Sequence, residues 1–197
     1  MRASTRREFV AGPAGRIECA VDQPEGSPRG VALIAHPHPL YGGTLDNKVV
    51  QTLARAFVEL GYESWRPNFR GVGETEGTHD EGRGELEDLA AVLQHIRSDK
   101  FILAGFSFGA SLAARLAQRA KPDWLVLVGL GITRLDAPPV TAGTLVIHGE
   151  TDDTVPLAAL LDWARPQELP VVVLPGADHF FHRKLHILKR IVQANWK

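Results

Sequence analysis

Short apolar runs alternate with segments in which apolar residues recur every three or four positions. Val31–Ala35 is apolar throughout, the pattern of a strand buried on both faces. Over residues 46–60, Val49, Val50, Leu53, Ala54, Phe57 and Val58 recur at helical spacing, and Gly61 stands where a helix would stop. Residues 62–67 read as the next strand. Residues 84–96 read as a helix with Leu86, Leu89, Ala90, Leu93 and Ile96 on one face. The run 101–104 is a strand that leads into a helical stretch at 110–120. Trp124–Val128, residues 144–148 and Val171–Leu174 supply three more strands, with helices predicted at Leu157–Ala164 and 182–195. Nearer the start, residues 17–21 read as an early edge strand, closed by the turn-rich Gln23-Pro24-Glu25-Gly26-Ser27-Pro28.

Strand and helix in regular alternation predict an α/β fold, a mostly parallel sheet with helices on both faces. Ligands of such sheets bind outside the carboxyl ends of the strands, so chemistry-bearing residues are expected just past strands. One domain spanning 1–197 is expected, with no internal repeat or linker. The segment 129–143 between two late strands is too short for a separate substrate or cap domain.

A formal net charge of -1 gives no reason to expect nucleic acid or an anionic membrane as partner. No apolar run approaches the roughly 20 residues that a membrane helix needs. The charged N-terminus lacks the apolar region of a signal peptide, so a cytoplasmic, reduced location is expected. Cys19 is the single cysteine, which excludes a disulfide framework and suits a small core residue. Oligomeric state has no signature in the sequence.

Gly105-Phe106-Ser107-Phe108-Gly109 follows the strand at 101–104 directly and precedes the helix at 110–120. Gly-x-Ser-x-Gly in that setting places a serine on a tight, strained turn with its hydroxyl at the end of a sheet. A serine hydroxyl needs a base within hydrogen-bond reach and a third group to orient that base. Downstream, the strand at 144–148 runs into Gly149-Glu150-Thr151-Asp152-Asp153-Thr154-Val155-Pro156, a turn rich in acids. Val171–Leu174 then runs into Pro175-Gly176-Ala177-Asp178-His179-Phe180. Nucleophile, acid and histidine thus follow one another along the chain, each just past a strand.

At these residues the chain resembles the α/β-hydrolase family, and it does so over nearly its whole length. His148-Gly149-x-x-Asp152-x-x-Val155-Pro156 is similar to the family's acid loop and implies Asp152 as the triad acid, with Asp153 its competitor and Glu150 further from register. The histidine loop implies His179. His36-Pro37-His38-Pro39-Leu40-Tyr41-Gly42-Gly43, Asp46-Asn47-Lys48-Val49-Val50 and Asn68-Phe69-Arg70-Gly71-Val72-Gly73 resemble a small, lidless bacterial subgroup described as predicted hydrolases or esterases. Thr75 stands where that pattern commonly has a serine, a change bearing on the loop and not on the triad.

The resemblance implies a cofactor-free serine hydrolase acting on a small-molecule acyl substrate. Ser107 would attack, His179 would carry the proton and Asp152 would hold the imidazole. The N–H of Phe108, the residue after the nucleophile, would bind the oxyanion together with an N–H from the loop after Val31–Ala35. Pro37 and Pro39 have no N–H to give, which leaves His38 first and Leu40 second. A carboxylic ester hydrolase for small or short-acyl esters is expected. An acyl-CoA thioesterase or a serine exopeptidase would use the same machinery, and a catalytically silent binding protein could keep the fold.

Other residues read as structural. His36, His38, His179, His182 and His186 lack a recognised metal spacing, although His182 and His186 are four apart on a predicted helix. Arg70 suits a loop anchor, Asp178 a solvated loop acid, and the acidic residues from 80 to 88 a solvated loop and helix face.

Overall fold

In the computed structural model, which describes residues 5–196, eight strands join in one sheet. They are β1 (Thr5–Gly12), β2 (Gly15–Asp22), β3 (Val31–Ala35), β4 (Glu63–Pro67), β5 (Phe101–Phe106), β6 (Trp124–Val128), β7 (Leu145–Gly149) and β8 (Val171–Leu174). The spatial order is β1-β2-β4-β3-β5-β6-β7-β8. From β4 to β8 every pairing is parallel, and the β1–β2 hairpin adds an antiparallel edge.

The helices α1 (Lys48–Glu59), α2 (Arg83–Ile96), α3 (Phe108–Ala120), α4 (Leu157–Ala164) and α5 (Leu185–Ala194) cover both faces. Successive strand residues point to opposite faces, which is why the central strands are apolar without a break. Leu33, Leu103, Leu127 and Val146 pack on the side of α2, α3 and α4. Their neighbours Ile34, Ala104, Val128 and Ile147 pack on the side of α1 and α5. Between β6 and β7 the chain forms no helix or strand, and no cap domain is inserted among the described residues. None of the helices is long and apolar enough to cross a membrane.

Several expectations change. The strand at 17–21 is not an edge: it is the middle of β2, flanked by β1 on one side and β4 on the other. α5 starts at Leu185, because Phe181 and Arg183 take left-handed backbone angles (φ 53° and 61°) that interrupt helix at 182. His182 and His186 therefore do not share a helix. The acids from 80 to 88 are not all solvated. Glu85 is buried, accepting from the N–H groups of Asp80 and Gly82, and Asp88 is buried against Arg70. Burial pushes the Cys19 thiol up to about 12, as suits a core residue.

α3 begins one residue after β5 ends, and two glycines make that possible. A Cβ on Gly105 would lie 2.3 Å from the carbonyl oxygen of Gly109. A Cβ on Gly109 would lie 2.4 Å from the carbonyl oxygens of both Ala35 and His36 at the end of β3. These obstacles are backbone atoms and cannot swing away. Gly109→Ala is expected to destabilise the fold by about 3 kcal/mol in chemical denaturation, at the upper end of overpacking costs.

His36 ties the end of β3 to the loop after β4. Its Nε2 accepts from the N–H of Phe69 at 2.9 Å, so the ring proton resides on Nδ1, which faces the Pro37 carbonyl oxygen at 2.6 Å. Complete burial pushes its pKa down to about 3, against the raising effect of the Pro37 hydrogen bond. Between that value and the ordinary histidine value near 6.5 the unfolded chain binds a proton that the folded chain refuses. Stability from the neutral ring is complete above the window and is lost as pH falls through it. Native protein is expected to lose roughly 1 kcal/mol more per pH unit below 6 than His36→Gln, in urea unfolding at pH 7, 5.5 and 4.5. Parallel pH profiles for the two proteins would contradict this reading.

Candidate active site

The turn at Ser107 is built by what surrounds it. Ser107 holds φ 56° and ψ −119°, a conformation that costs a non-glycine residue about 1–3 kcal/mol and persists only where neighbours impose it. Here the Ser107 N–H donates to the Val128 carbonyl at 2.9 Å, while its own carbonyl accepts from Gly131 at 3.1 Å and Ala110 at 2.9 Å. The turn is thereby pinned between β6, the loop after β6 and the first turn of α3.

The loops after β7 and β8 bring Asp152 and His179 to it. His179 Nε2 stands 3.1 Å from Ser107 Oγ, and its Nδ1 stands 2.7 Å from Asp152 Oδ2. A carboxylate can only accept, so Nδ1 carries the proton and Nε2 is free to accept from the serine hydroxyl. The other Asp152 oxygen accepts from the N–H groups of Thr154 at 3.0 Å and Val155 at 2.8 Å. Burial alone would raise the Asp152 pKa; the hydrogen bonds from His179 and Val155 outweigh it and hold the group below the ordinary carboxylate value. The buried His148 Nε2 donates to the Val155 carbonyl at 2.9 Å, which braces the same loop from behind. Burial lowers the His148 pKa and favours its neutral form. The His179 ring rests against Phe106 and Phe180, with centroids 4.9 Å and 5.2 Å away.

Beside Ser107 lies a pocket of about 270 Å³, lined among others by His38, Tyr41, Phe108, Gly131, Arg134 and His179. His38 borders it, and Leu40 does not. The Leu40 N–H is directed at His38 Nδ1, 3.3 Å away, while no acceptor among the described residues takes the N–H of His38 or of Phe108. The rings of His38 and Phe108 meet with centroids 4.7 Å apart.

Of the other residues singled out in the sequence, Asp153 is exposed and accepts from the Thr154 hydroxyl, and Glu150 accepts from the Gly176 N–H at 2.7 Å. Asp178 pairs with His182 at 2.6 Å, away from His179. Arg70 grips Asp88 through two nitrogens, at 2.8 Å and 2.7 Å, and also donates to the Gly84 carbonyl, the work of a loop anchor. Thr75 is buried; its hydroxyl accepts from the Glu18 N–H and donates to the Asn68 carbonyl, so the threonine bridges β2 to the loop after β4. Sequence reasoning passed over Gly131 and Arg134. The available signal was position: both lie in the loop following β6, which pairs with β5, the strand leading to Ser107.

Comparison with known proteins places the whole chain beside known relatives. Residues 40–134 match the family described as alpha/beta hydrolase fold. An alpha-beta serine hydrolase homologue from Coxiella burnetii is 37% identical over the whole of both chains, with a TM-score of 0.88. A serine hydrolase without a lid from Xanthomonas campestris is 37% identical, with 99% of this chain and 94% of that one covered and a TM-score of 0.91. An uncharacterised protein of Rickettsia prowazekii is 32% identical over 89% of this chain and 82% of its own length. The chain is thus a hydrolase and belongs to the α/β-hydrolase family, among its small members without a lid.

Proposed function

We propose that this chain is a carboxylic ester hydrolase that works through an acyl-enzyme on Ser107 and takes small or short-acyl esters. The observation that carries the reading is the continuous hydrogen-bond chain from Asp152 through His179 to Ser107, opening on a small pocket that no cap domain among the described residues covers. Ser107 Oγ attacks the acyl carbon while its proton passes to His179 Nε2. The imidazolium so formed faces Asp152, whose amide clamp keeps it ionised and aimed. Charge developing on the former carbonyl oxygen falls to the free N–H groups of Phe108 and His38. Collapse breaks the ester C–O bond, and the leaving alkoxide takes the proton from His179. Water then repeats the sequence on the acyl-enzyme and releases the acid. The pocket volume favours acetyl or butyryl chains; a strong preference for long-chain esters would argue against the assignment.

Two results check the chemistry. A fluorophosphonate probe should label Ser107 in the native protein, and Ser107→Ala should lose at least about 10⁴-fold in kcat on p-nitrophenyl butyrate with unchanged circular dichroism. Full turnover by that variant would end the proposal, and hydrolysis of acyl-CoA with no hydrolysis of esters would redirect it to a thioesterase.

The two neighbouring acids are separable. Asp152→Asn should lower kcat by about 10⁴-fold, because an amide oxygen neither fixes the tautomer nor balances the imidazolium as a carboxylate does. Asp153→Asn, at an exposed side chain remote from His179, should stay within roughly twofold of native on the same ester. Reversal of the two effects would move the acid to Asp153.

A further inference from the structure

The pocket beside Ser107 has a charge asymmetry that the acyl-transfer steps leave unused. Among its described lining residues Arg134 is the one with a full charge at neutral pH, and no Asp or Glu lines it. Arg134 is held close to the reacting centre. Its N–H donates to the Gly131 carbonyl at 3.1 Å, and the Gly131 N–H donates to the Ser107 carbonyl at 3.1 Å. Two consecutive hydrogen bonds therefore tie the loop carrying the guanidinium to the nucleophile turn.

The guanidinium is also oriented. It lies over the Tyr41 ring, 4.5 Å from the centroid, and Nη1 donates to the Tyr41 hydroxyl at 2.7 Å. Tyr41 is a neutral partner, so among the described residues the cation meets no carboxylate and most of its fork has no acceptor. The surroundings reinforce the sign. Asn47, which caps the amino end of α1, lines the same pocket, and that end of a helix carries partial positive charge. The His38 pKa is lowered by burial and then by His79 and Arg134; Glu85 acts the other way but is buried and already engaged by Asp80, Gly82 and His79.

We propose that Arg134 and Tyr41 form an anion subsite and that the ester taken here carries a carboxylate a few bonds from its scissile carbonyl. The inference rests on the ester hydrolase reading of Ser107. A carboxylate matches the planar fork with two parallel hydrogen bonds. It also matches a single cation in charge, whereas a phosphate monoester brings about two negative charges and is ordinarily met by several donors. Tyr41 acts as a positioning residue: its ring and hydroxyl hold the fork at the pocket wall.

Two substrate pairs locate the carboxylate. Mono-p-nitrophenyl glutarate against p-nitrophenyl butyrate puts it on the acyl side; 4-carboxyphenyl butyrate against phenyl butyrate puts it on the alcohol side. In each pair the ratio of kcat/KM, charged over neutral, is compared between native protein and Arg134→Gln, so intrinsic reactivity cancels. The ratio should fall about tenfold in one pair, recover in part with Arg134→Lys, and shrink in native protein as salt rises, as an ionic contact between exposed groups requires. A fall under roughly threefold in both pairs overturns the subsite. Failure of all four esters would instead remove the ester reading. Calorimetry of glutarate and butyrate with the native chain is independent of turnover: glutarate should bind more tightly, and Arg134→Gln should abolish the difference. Equal binding of the two acids by native protein overturns the proposal on its own.

Discussion

At Gly109 the backbone of α3 rests directly on the backbone at the end of β3, with no space for a methyl group between them. Much of the site follows from that contact. To reach it, the chain must turn from β5 into α3 within a single residue, which forces Ser107 into its left-handed conformation and lifts its hydroxyl off the sheet. The same approach brings the residues after β3 alongside the start of α3, so His38 meets Phe108. The raised Ser107 hydroxyl and the two amides beside it are consequences of one backbone packing, not three independent placements. Pre-organisation of this kind is what allows dipoles to act without rearranging during reaction.

Several charged groups inside the molecule bind loop atoms and thereby hold those loops in place. Asp152 collects two amides and an imidazole. Arg66, almost fully buried in β4, meets Asp22 at 2.9 Å and the Leu45 carbonyl at 2.7 Å. Glu18 takes the Asn68 amide and the Glu74 N–H, while Asn68 in turn accepts from Leu45. Buried pairs of this sort add little net stability, but leaving one partner unpaired is costly, so they specify where loops lie. The carboxyl ends of β3, β4 and β7 are fixed in this way, by polar contacts where the sheet's apolar packing gives out.

Most of the sheet was legible because β3, β5, β6 and the first three residues of β7 lie in the interior and so are written as apolar runs. The candidate site was legible for a related reason: Ser107, Asp152 and His179 each follow an apolar strand, and parallel topology brings those ends together. β1 escaped notice because its sequence, Thr-Arg-Arg-Glu-Phe-Val-Ala-Gly, buries little besides Val10. The burial of Glu85 and Asp88 was illegible because their partners, the Asp80 and Gly82 amides and Arg70, are supplied by loop geometry that spacing does not encode. The beginning of α5 was misplaced because two non-glycine residues adopt angles that nothing in their identity announces. Arg134 carries no local pattern at all; its meaning comes from a tyrosine 93 residues away in the chain.

The charged residues of β1, part of a terminus read in the sequence only for its charge, occupy one margin of the sheet. A strand there leaves main-chain donors and acceptors that a second molecule could zip onto. Arg6, Arg7 and Glu8 crowd that margin with groups whose hydration such pairing would strip away, and Arg16 covers the exposed face of Phe9. The opposite margin, β8, is apolar but only four residues long and stands between Pro170 and Pro175. One side is guarded by charge and the other by brevity. Both margins thereby disfavour edge-to-edge growth of the sheet into a fibre.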